Sequence, residues 1–155
     1  MRTKNNIYTL ISILSIIIVA TLGSLFVYLG MDWFNSLTKP SQWIPNIIFP
    51  IVWTIIYLIF CFVLYFWIDK ETSLPRNVVW LLIINGIFNV LWCLTFFTLH
   101  LTFLGNVVII LNLIAGILLT GVIYKSKPKY ALATLIYPIW LCLATSLNLA
   151  LWILN

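Results

Sequence analysis

The chain has 155 residues, of which 64% are hydrophobic and only 7% are charged. Soluble domains are about one quarter charged, so this composition excludes an ordinary water-soluble domain and predicts a membrane protein. The formal net charge of +5 would suit a nucleic-acid partner, but the positions of the basic residues indicate membrane topology instead.

Five apolar runs are each long enough to cross a bilayer, which takes about 20 residues of helix. Transmembrane β-strands alternate in hydrophobicity over about ten residues, whereas these runs are continuous, so we predict helices. The expected fold class is an all-α integral membrane protein, a five-transmembrane-helix bundle that forms a single domain over residues 1–155. The predicted spans are 7–29, 46–68, 78–99, 103–124 and 131–154.

The basic residues are distributed unevenly between the two ends of these spans. Arg2 and Lys4 precede the first span, whose apolar stretch is longer than a signal-peptide core of about 7–15 residues, so we predict a helix there. Lys39 is the only one of the eight basic residues expected at the opposite end. Because cytoplasmic loops carry the excess of Lys and Arg, we predict a cytoplasmic N-terminus in the plasma membrane, with residues 30–45 and the C-terminus outside.

Several kinds of chemistry lack support in the sequence. No Asp, Glu, Lys or Arg lies in the middle of a predicted span, although ion-coupled pumps usually need such a group. Cys61, Cys93 and Cys142 lack metal-ligand spacing, and we interpret them as small buried apolar residues. The only histidine, His100, lies at a span edge, which argues against a haem ligand or a Ser–His–Asp triad. We therefore predict no metal site and no required cofactor.

The loop over residues 30–45, here called the lid, leads into an apolar helix with an aromatic stripe. Pro40 and Pro45 restrict the lid backbone. Aromatic residues then recur at helical spacing and so share one helix face, namely Phe49, Trp53, Tyr57 and Phe60. A stiff lid beside an aromatic wall would suit a flat, apolar ligand.

Three tryptophans lie inside spans rather than at the interfaces where tryptophan is common. At the helical rise per residue, Trp53 and Trp92 lie ~12 Å from the lid ends of their spans, and Trp140 lies ~21 Å from its own. If spans 2, 3 and 5 face one another, the three rings line a cavity into which Asn89 offers an amide. The other interpretation, in which these rings only pack or face lipid, stays open on spacing alone.

Two smaller features accompany this pattern. Gly23 in span 1 would let either a neighbouring helix or a ligand approach closely. In span 5, Ala144 shares a face with Trp140, and Pro138 is expected to bend the first third of the span.

A set of motifs follows in a fixed order along the chain. They are Trp33-Phe34, Leu37-Thr38-Lys39-Pro40, Trp43-Ile44-Pro45, Phe49-Pro50-Ile51-Val52-Trp53, Tyr57, Asn89-Val90-Leu91-Trp92, Phe96-Phe97, Tyr137-Pro138-Ile139-Trp140 and Leu147-Asn148. This ordered set, which covers essentially the whole chain, resembles bacterial members of the TspO/translocator protein family, also called tryptophan-rich sensory proteins or peripheral benzodiazepine receptors. Two departures matter: Asn46 replaces a second proline, so we expect a more mobile lid, and Leu149 and Ile153 replace the tyrosine and arginine of the animal cholesterol-recognition stretch.

The resemblance implies a pocket for porphyrins such as protoporphyrin IX, and for synthetic isoquinoline carboxamides and benzodiazepines. It also implies homodimers and, as in some bacterial members, slow degradation of protoporphyrin IX in light and oxygen, with Trp53 and Trp140 as the catalytic positions. Lys39 would meet the porphyrin propionates at the mouth. The implied ligand-binding residues are Gly23, Phe26, Trp33, Lys39, Trp43, Ile47, Phe49, Trp53, Tyr57, Asn89, Trp92, Trp140 and Ala144.

Three functions remain open at this point. The first is a receptor-like membrane protein that binds porphyrins, with or without degrading them, in tetrapyrrole or oxidative-stress control. The second is a transporter of tetrapyrroles or other lipophilic molecules, for which the lack of intramembrane charge disfavours ion coupling. The third is a ligand-responsive interaction protein with no chemistry of its own.

Overall fold

The structure is a computed structural model that describes residues 2–41, 43–71 and 74–155. These ranges are mostly helical and contain no strand. Within them, five helical stretches are long and apolar enough to cross a membrane, at Ile7–Leu29, Ile48–Ile68, Arg76–Thr98, Thr102–Ser126 and Pro128–Leu154. The predicted all-α fold class is confirmed, and the chain is a multi-pass membrane protein.

Seven α-helices and one π-helical segment make up the bundle in the described ranges. The α-helices are α1 (Arg2–Leu29), α2 (Met31–Ser36), α3 (Ile48–Glu71), α4 (Arg76–Cys93), α5 (Thr102–Ser126), α6 (Pro128–Thr134) and α7 (Ile136–Leu154). The π segment, Leu94–Thr98, continues α4.

The long helices run alternately up and down, which gives the bundle two distinct ends. At the lid end, the ring of Trp33 stacks on His100 with centroids 4.2 Å apart. The backbone N–H of Thr38 donates to the side chain of Asn155 there, at 2.9 Å. The opposite end, here called the basic end, carries the turns before α4 and after α5.

Two prolines lie near helix starts, where their missing N–H groups matter least. Pro50 is in the first turn of α3, which begins at Ile48. The last span is broken at Leu135, between α6 and α7. Pro138 cannot donate to the carbonyl of Thr134, and its ring crowds that carbonyl, so the bend expected in this span takes the form of a break.

The hydroxyl group of Tyr137 joins three helices inside the bundle. Its oxygen lies 3.1 Å from Oδ1 of Asn85 on α4 and 3.0 Å from Oδ1 of Asn112 on α5. A hydroxyl carries one proton. The network is complete when Tyr137 donates to Asn85 and the Asn112 amide turns so that its Nδ2 donates to Tyr137. That arrangement also gives a partner to the Asn112 nitrogen, which otherwise has none among the described residues.

A second polar chain joins the same helices nearer the lid end. The indole N–H of Trp92 donates to Oδ1 of Asn148 at 3.3 Å, and Nδ2 of Asn148 donates to Oδ1 of Asn106 at 2.9 Å. All three residues are buried. Such bonds help to associate helices in lipid, where apolar contact alone has little driving force.

The three cysteines differ in burial. Cys93 is buried, Cys61 is intermediate and Cys142 is exposed. The prediction that all three are buried therefore holds only for Cys93, because the outer surface of a membrane helix is itself apolar and accepts a thiol as readily as the core does.

Gly30 marks the closest approach between α1 and the π segment. A Cβ atom at this position would lie 1.9 Å from the backbone oxygen of Phe97, which is far inside van der Waals contact. At Gly121 on α5, a Cβ would meet nothing within 4 Å. Gly30 is thus required by sterics, whereas Gly121 is not.

We expect Gly30→Ala to destabilise the protein by about 3 kcal/mol, the upper end of the usual cost of overpacking, because a backbone carbonyl cannot move aside as a side chain can. Thermal unfolding in detergent would measure this loss. Gly121→Ala is the matched control and should not lower the midpoint, since alanine favours helix. Equal midpoints for the two variants would contradict the close approach.

Candidate ligand cavity beneath the lid

A cavity of about 470 Å³ lies between α1, α3, α4 and α7, on the lid side of the bundle. This volume falls within the range typical of small-molecule sites, about 300–1,000 Å³. Its lining is mostly apolar and aromatic, with a few polar side chains, as is also typical of such sites. The lid and the residue that follows it cover the cavity, through Met31, Phe34, Trp43 and Asn46.

Aromatic rings form the walls of the cavity. The ring of Trp53 on α3 lies 6.1 Å from that of Trp92 on α4 and stacks on Tyr57 at 5.8 Å, centroid to centroid. Nearer the lid, the rings of Trp43 and Phe49 are 5.4 Å apart. These separations are those of favourable aromatic pairs, so the walls are pre-formed surfaces against which a flat ring system can pack.

One hydrogen bond closes the deep end of the cavity. The hydroxyl of Tyr57 donates to Oδ1 of Asn89 at 3.2 Å. Asn89 is 4% exposed, and its side chain also lies within reach of the Tyr137 hydroxyl. Asn89 therefore offers an amide in an otherwise apolar wall, and a ligand acceptor would compete with Tyr137 for its N–H groups.

Comparison with known proteins agrees with this architecture. The model of the TspO/MBR family matches residues 12–153. The chain belongs to the TspO/MBR family. The tryptophan-rich protein TspO of Archaeoglobus fulgidus is 32% identical over 157 residues, covering 93% of this chain and 94% of that protein. Protein CrtK of Rhodobacter capsulatus is 31% identical over 128 residues, covering 79% of this chain and 78% of that protein.

Membership of the TspO/MBR family confirms the resemblance drawn from the motifs. It indicates a receptor-like role in the membrane for this tryptophan-rich protein. The candidate site residues divide into those that line the cavity and those that do not. Eight line it, namely Gly23, Trp43, Phe49, Trp53, Tyr57, Asn89, Trp92 and Ala144.

Trp140 lies behind the aromatic wall of this TspO/MBR protein. Its ring contacts Phe49 edge to face, with centroids 5.6 Å apart, and the residue is 7% exposed. Its indole N–H is buried and has no hydrogen-bond partner within the described ranges. Trp140 therefore reaches the cavity only through Phe49, and its catalytic role stays a prediction.

Three other candidates, Phe26, Trp33 and Ile47, do not line the cavity. Trp33 packs edge to face on Phe96 as well as on His100, and the backbone oxygen of Phe26 accepts from the hydroxyl of Thr98 at 2.8 Å. The side chain of Ile47 is 64% exposed in the turn before α3. Their roles in ligand binding stay predictions that need the lid or α3 to move.

Lys39 is held by the lid itself rather than projecting over the cavity. Its ammonium donates to the backbone oxygens of Phe34 and Leu37 and lies over the ring of Phe34, 4.2 Å from the centroid. Partial burial lowers the pKa of the Lys39 ammonium. A porphyrin propionate would have to share this group with carbonyls that already hold it.

Two further contacts fasten the lid. Oδ1 of Asn46 accepts the indole N–H of Trp43 at 2.9 Å, so the residue that replaces the family's second proline holds the tryptophan ring by a hydrogen bond. Asn155 pairs with both backbone groups of Thr38, accepting from its N–H at 2.9 Å and donating to its oxygen at 3.2 Å. The end of α7 thereby anchors the lid.

The α1 wall was largely missed in the sequence, although its signal was present. Gly23 and Ser24 stand out in the sequence as small residues, but Ala20 and Val27 on the same face also line the cavity. Small residues repeated every three or four positions allow close approach along one helix face. Reading that stripe as a face, rather than reading Gly23 alone, would have found this wall.

We expect Asn155→Ala to speed amide hydrogen exchange in the lid about fivefold, because two hydrogen bonds to Thr38 are lost at a water-exposed site. Exchange mass spectrometry on peptides spanning residues 37–46 would measure it. Asn35→Ala, which alters an exposed amide on α2, is the control and should leave the rate unchanged. An equal effect of both variants would rule out the Asn155 anchor.

Proposed function

We propose that this TspO/MBR protein is a receptor for porphyrins such as protoporphyrin IX, which bind in the cavity beneath the lid. The single observation that carries the proposal is the facing pair of Trp53 and Trp92, with ring centroids 6.1 Å apart, at the wall of a cavity of about 470 Å³. A tetrapyrrole is flat and largely apolar, so aromatic walls match both its shape and its surface. Isoquinoline carboxamides and benzodiazepines, which are flat and smaller, would use the same walls.

The polar groups of the cavity support an orientation for the ligand. The amide of Asn89 lies at the deep end and suits a ring nitrogen or a carbonyl group of a synthetic ligand. Carboxylates would remain at the lid end, where water and Lys39 are near, because an unpaired carboxylate is costly to bury. The protein would then sense tetrapyrrole levels under oxidative stress.

Light-dependent degradation is a further part of the proposal. An indole next to a photoexcited porphyrin can donate an electron to it, which leaves an indole radical cation and a porphyrin radical anion. Molecular oxygen would then add to a ring carbon of the radical anion and form a C–O bond. Return of one electron to the indole would leave a neutral dioxygen adduct, so that O2 is the oxidant and the indole is regenerated. Trp53 borders the cavity directly, whereas Trp140 is separated from it by Phe49. We therefore propose Trp53 as the principal electron donor and Trp140 as a secondary one.

The geometry favours binding over transport. The cavity ends at the Tyr57–Asn89 hydrogen bond, so a ligand of the lid-side cavity would have no continuous way to the basic end in this conformation.

A homodimer in the plasma membrane, with the basic end in the cytoplasm, completes the proposal. In its support, α1 is the least buried of the five membrane-spanning stretches described, which leaves an apolar face for a second copy.

Binding is tested by filling the cavity. At Gly23 a Cβ would meet the Cys93 sulfur at 3.5 Å and Oδ1 of Asn89 at 3.7 Å, which is ordinary contact, so the rest of a leucine side chain would project into the ligand space. We expect Gly23→Leu to weaken protoporphyrin IX binding about tenfold or more, measured by quenching of tryptophan fluorescence.

Gly121→Leu is the matched control, because this glycine faces open space on α5 and the substitution adds the same side chain outside the cavity. It should bind as the wild type does. The pocket would be refuted if neither variant changed the affinity or if wild-type quenching did not saturate.

Degradation is tested separately, under illumination in air, by loss of the porphyrin absorption band. We expect Trp53→Phe to slow this loss strongly, Trp140→Phe to slow it less, and both to keep binding. Trp80→Phe, at a 53% exposed position near the basic end, should match the wild type. Unchanged loss in the double variant Trp53→Phe, Trp140→Phe would sink the chemical role while leaving the binding role intact.

A further inference from the structure

A second cavity, of about 630 Å³, lies between α1, α3 and α4 in the half of the bundle towards the basic end. We call it the basic-end groove. Ser12 and Val19 of α1, Phe60 of α3, and Val79 and Ile83 of α4 are among its lining residues. It meets the cavity beneath the lid at Tyr57 and Asn89, which line both, but no lid residue lines it among the described residues.

The basic-end groove opens sideways towards the bilayer. Residues on its rim are exposed although they are large and apolar, for example Ile18 at 57% and Ile87 at 53%. Its walls are mainly aliphatic, whereas aromatic residues make up a much larger share of the walls of the lid-side cavity. Flexible hydrocarbon chains therefore match this groove better than a rigid ring system does.

A basic residue lies close to the groove on α4. Arg76 begins α4, and Val79 and Ile83, three and seven residues later, lie on the same helix face and line the groove. Arg76 is exposed, and the planar fork of its guanidinium suits a phosphate.

We propose that the basic-end groove holds one acyl chain of an anionic phospholipid from the leaflet at that end, with the lipid phosphate bound by Arg76. The dimensions agree: α4 rises ~20 Å from Arg76 to Asn89, at the far end of the groove, which exceeds half of a ~30 Å hydrocarbon core. The groove is therefore long enough to hold the acyl chain of one leaflet, which needs only ~15 Å of it. Basic pockets between membrane helices commonly hold such headgroups.

Native mass spectrometry of the purified full-length protein tests the lipid site without any porphyrin, so its outcome is independent of the proposed receptor function. Phosphatidylglycerol and phosphatidylcholine with identical acyl chains would be titrated separately. We expect one tightly retained phosphatidylglycerol, preferred about fivefold over phosphatidylcholine, since one basic residue near the surface supplies roughly that factor.

Four variants locate the bound lipid. Arg76→Gln should reduce phosphatidylglycerol retention to the phosphatidylcholine level, and Ser12→Phe, which fills the groove, should reduce retention of both. Lys125→Gln removes an exposed charge at the same end, outside the groove, and should leave the preference intact. Arg76→Lys keeps the charge but loses the planar fork, so it should keep only part of the preference.

Two results would overturn the proposal. One is an equal loss of preference in Lys125→Gln and Arg76→Gln, which would mean diffuse attraction to the basic end. The other is full lipid retention in a folded Ser12→Phe protein, which would place the lipid elsewhere on the surface.

Discussion

Polar side chains buried inside an apolar bundle determine how the helices of this protein sit against one another. In lipid, two apolar helices gain little from contact, whereas an amide that loses its partner cannot turn to water. The chain from Trp92 through Asn148 to Asn106 therefore sets the register of α4, α5 and α7. Since the indole of Trp92 on α4 is held by Asn148 on α7, the orientation of one cavity wall follows from a hydrogen bond between helices.

The lid-side cavity exists because α1 carries small side chains where it faces α3. Gly23 and its small neighbours leave a gap opposite the aromatic stripe of α3, while Gly30 lets the end of α1 press directly on the π segment. Tight contact at the lid end and loose contact in the middle of α1 together leave a void. Its cover is then fastened from outside by Asn155 and from within by Lys39.

Much of this arrangement was predictable because the bilayer demands it. Apolar runs of spanning length can only be helices, and the order of motifs from Trp33 to Trp140 identified the family. The placement of Trp140 and Lys39 was not predictable, because spacing along a helix gives the face of a residue but not which neighbour stands in front of it. The pairing of Thr38 with Asn155 joins residues 117 positions apart, so no local pattern announces it.

The hydrogen-bonded pair of Tyr57 and Asn89 lies between the lid-side cavity and the basic-end groove, and both residues line both spaces. A molecule bound in one of these spaces that favours one geometry of the pair changes the free energy of binding in the other. Thermodynamic linkage makes this effect equal in both directions. The lipid bound in the basic-end groove would then alter the affinity of the lid-side cavity for its ligand. The receptor would respond to the composition of the bilayer as well as to its ligand.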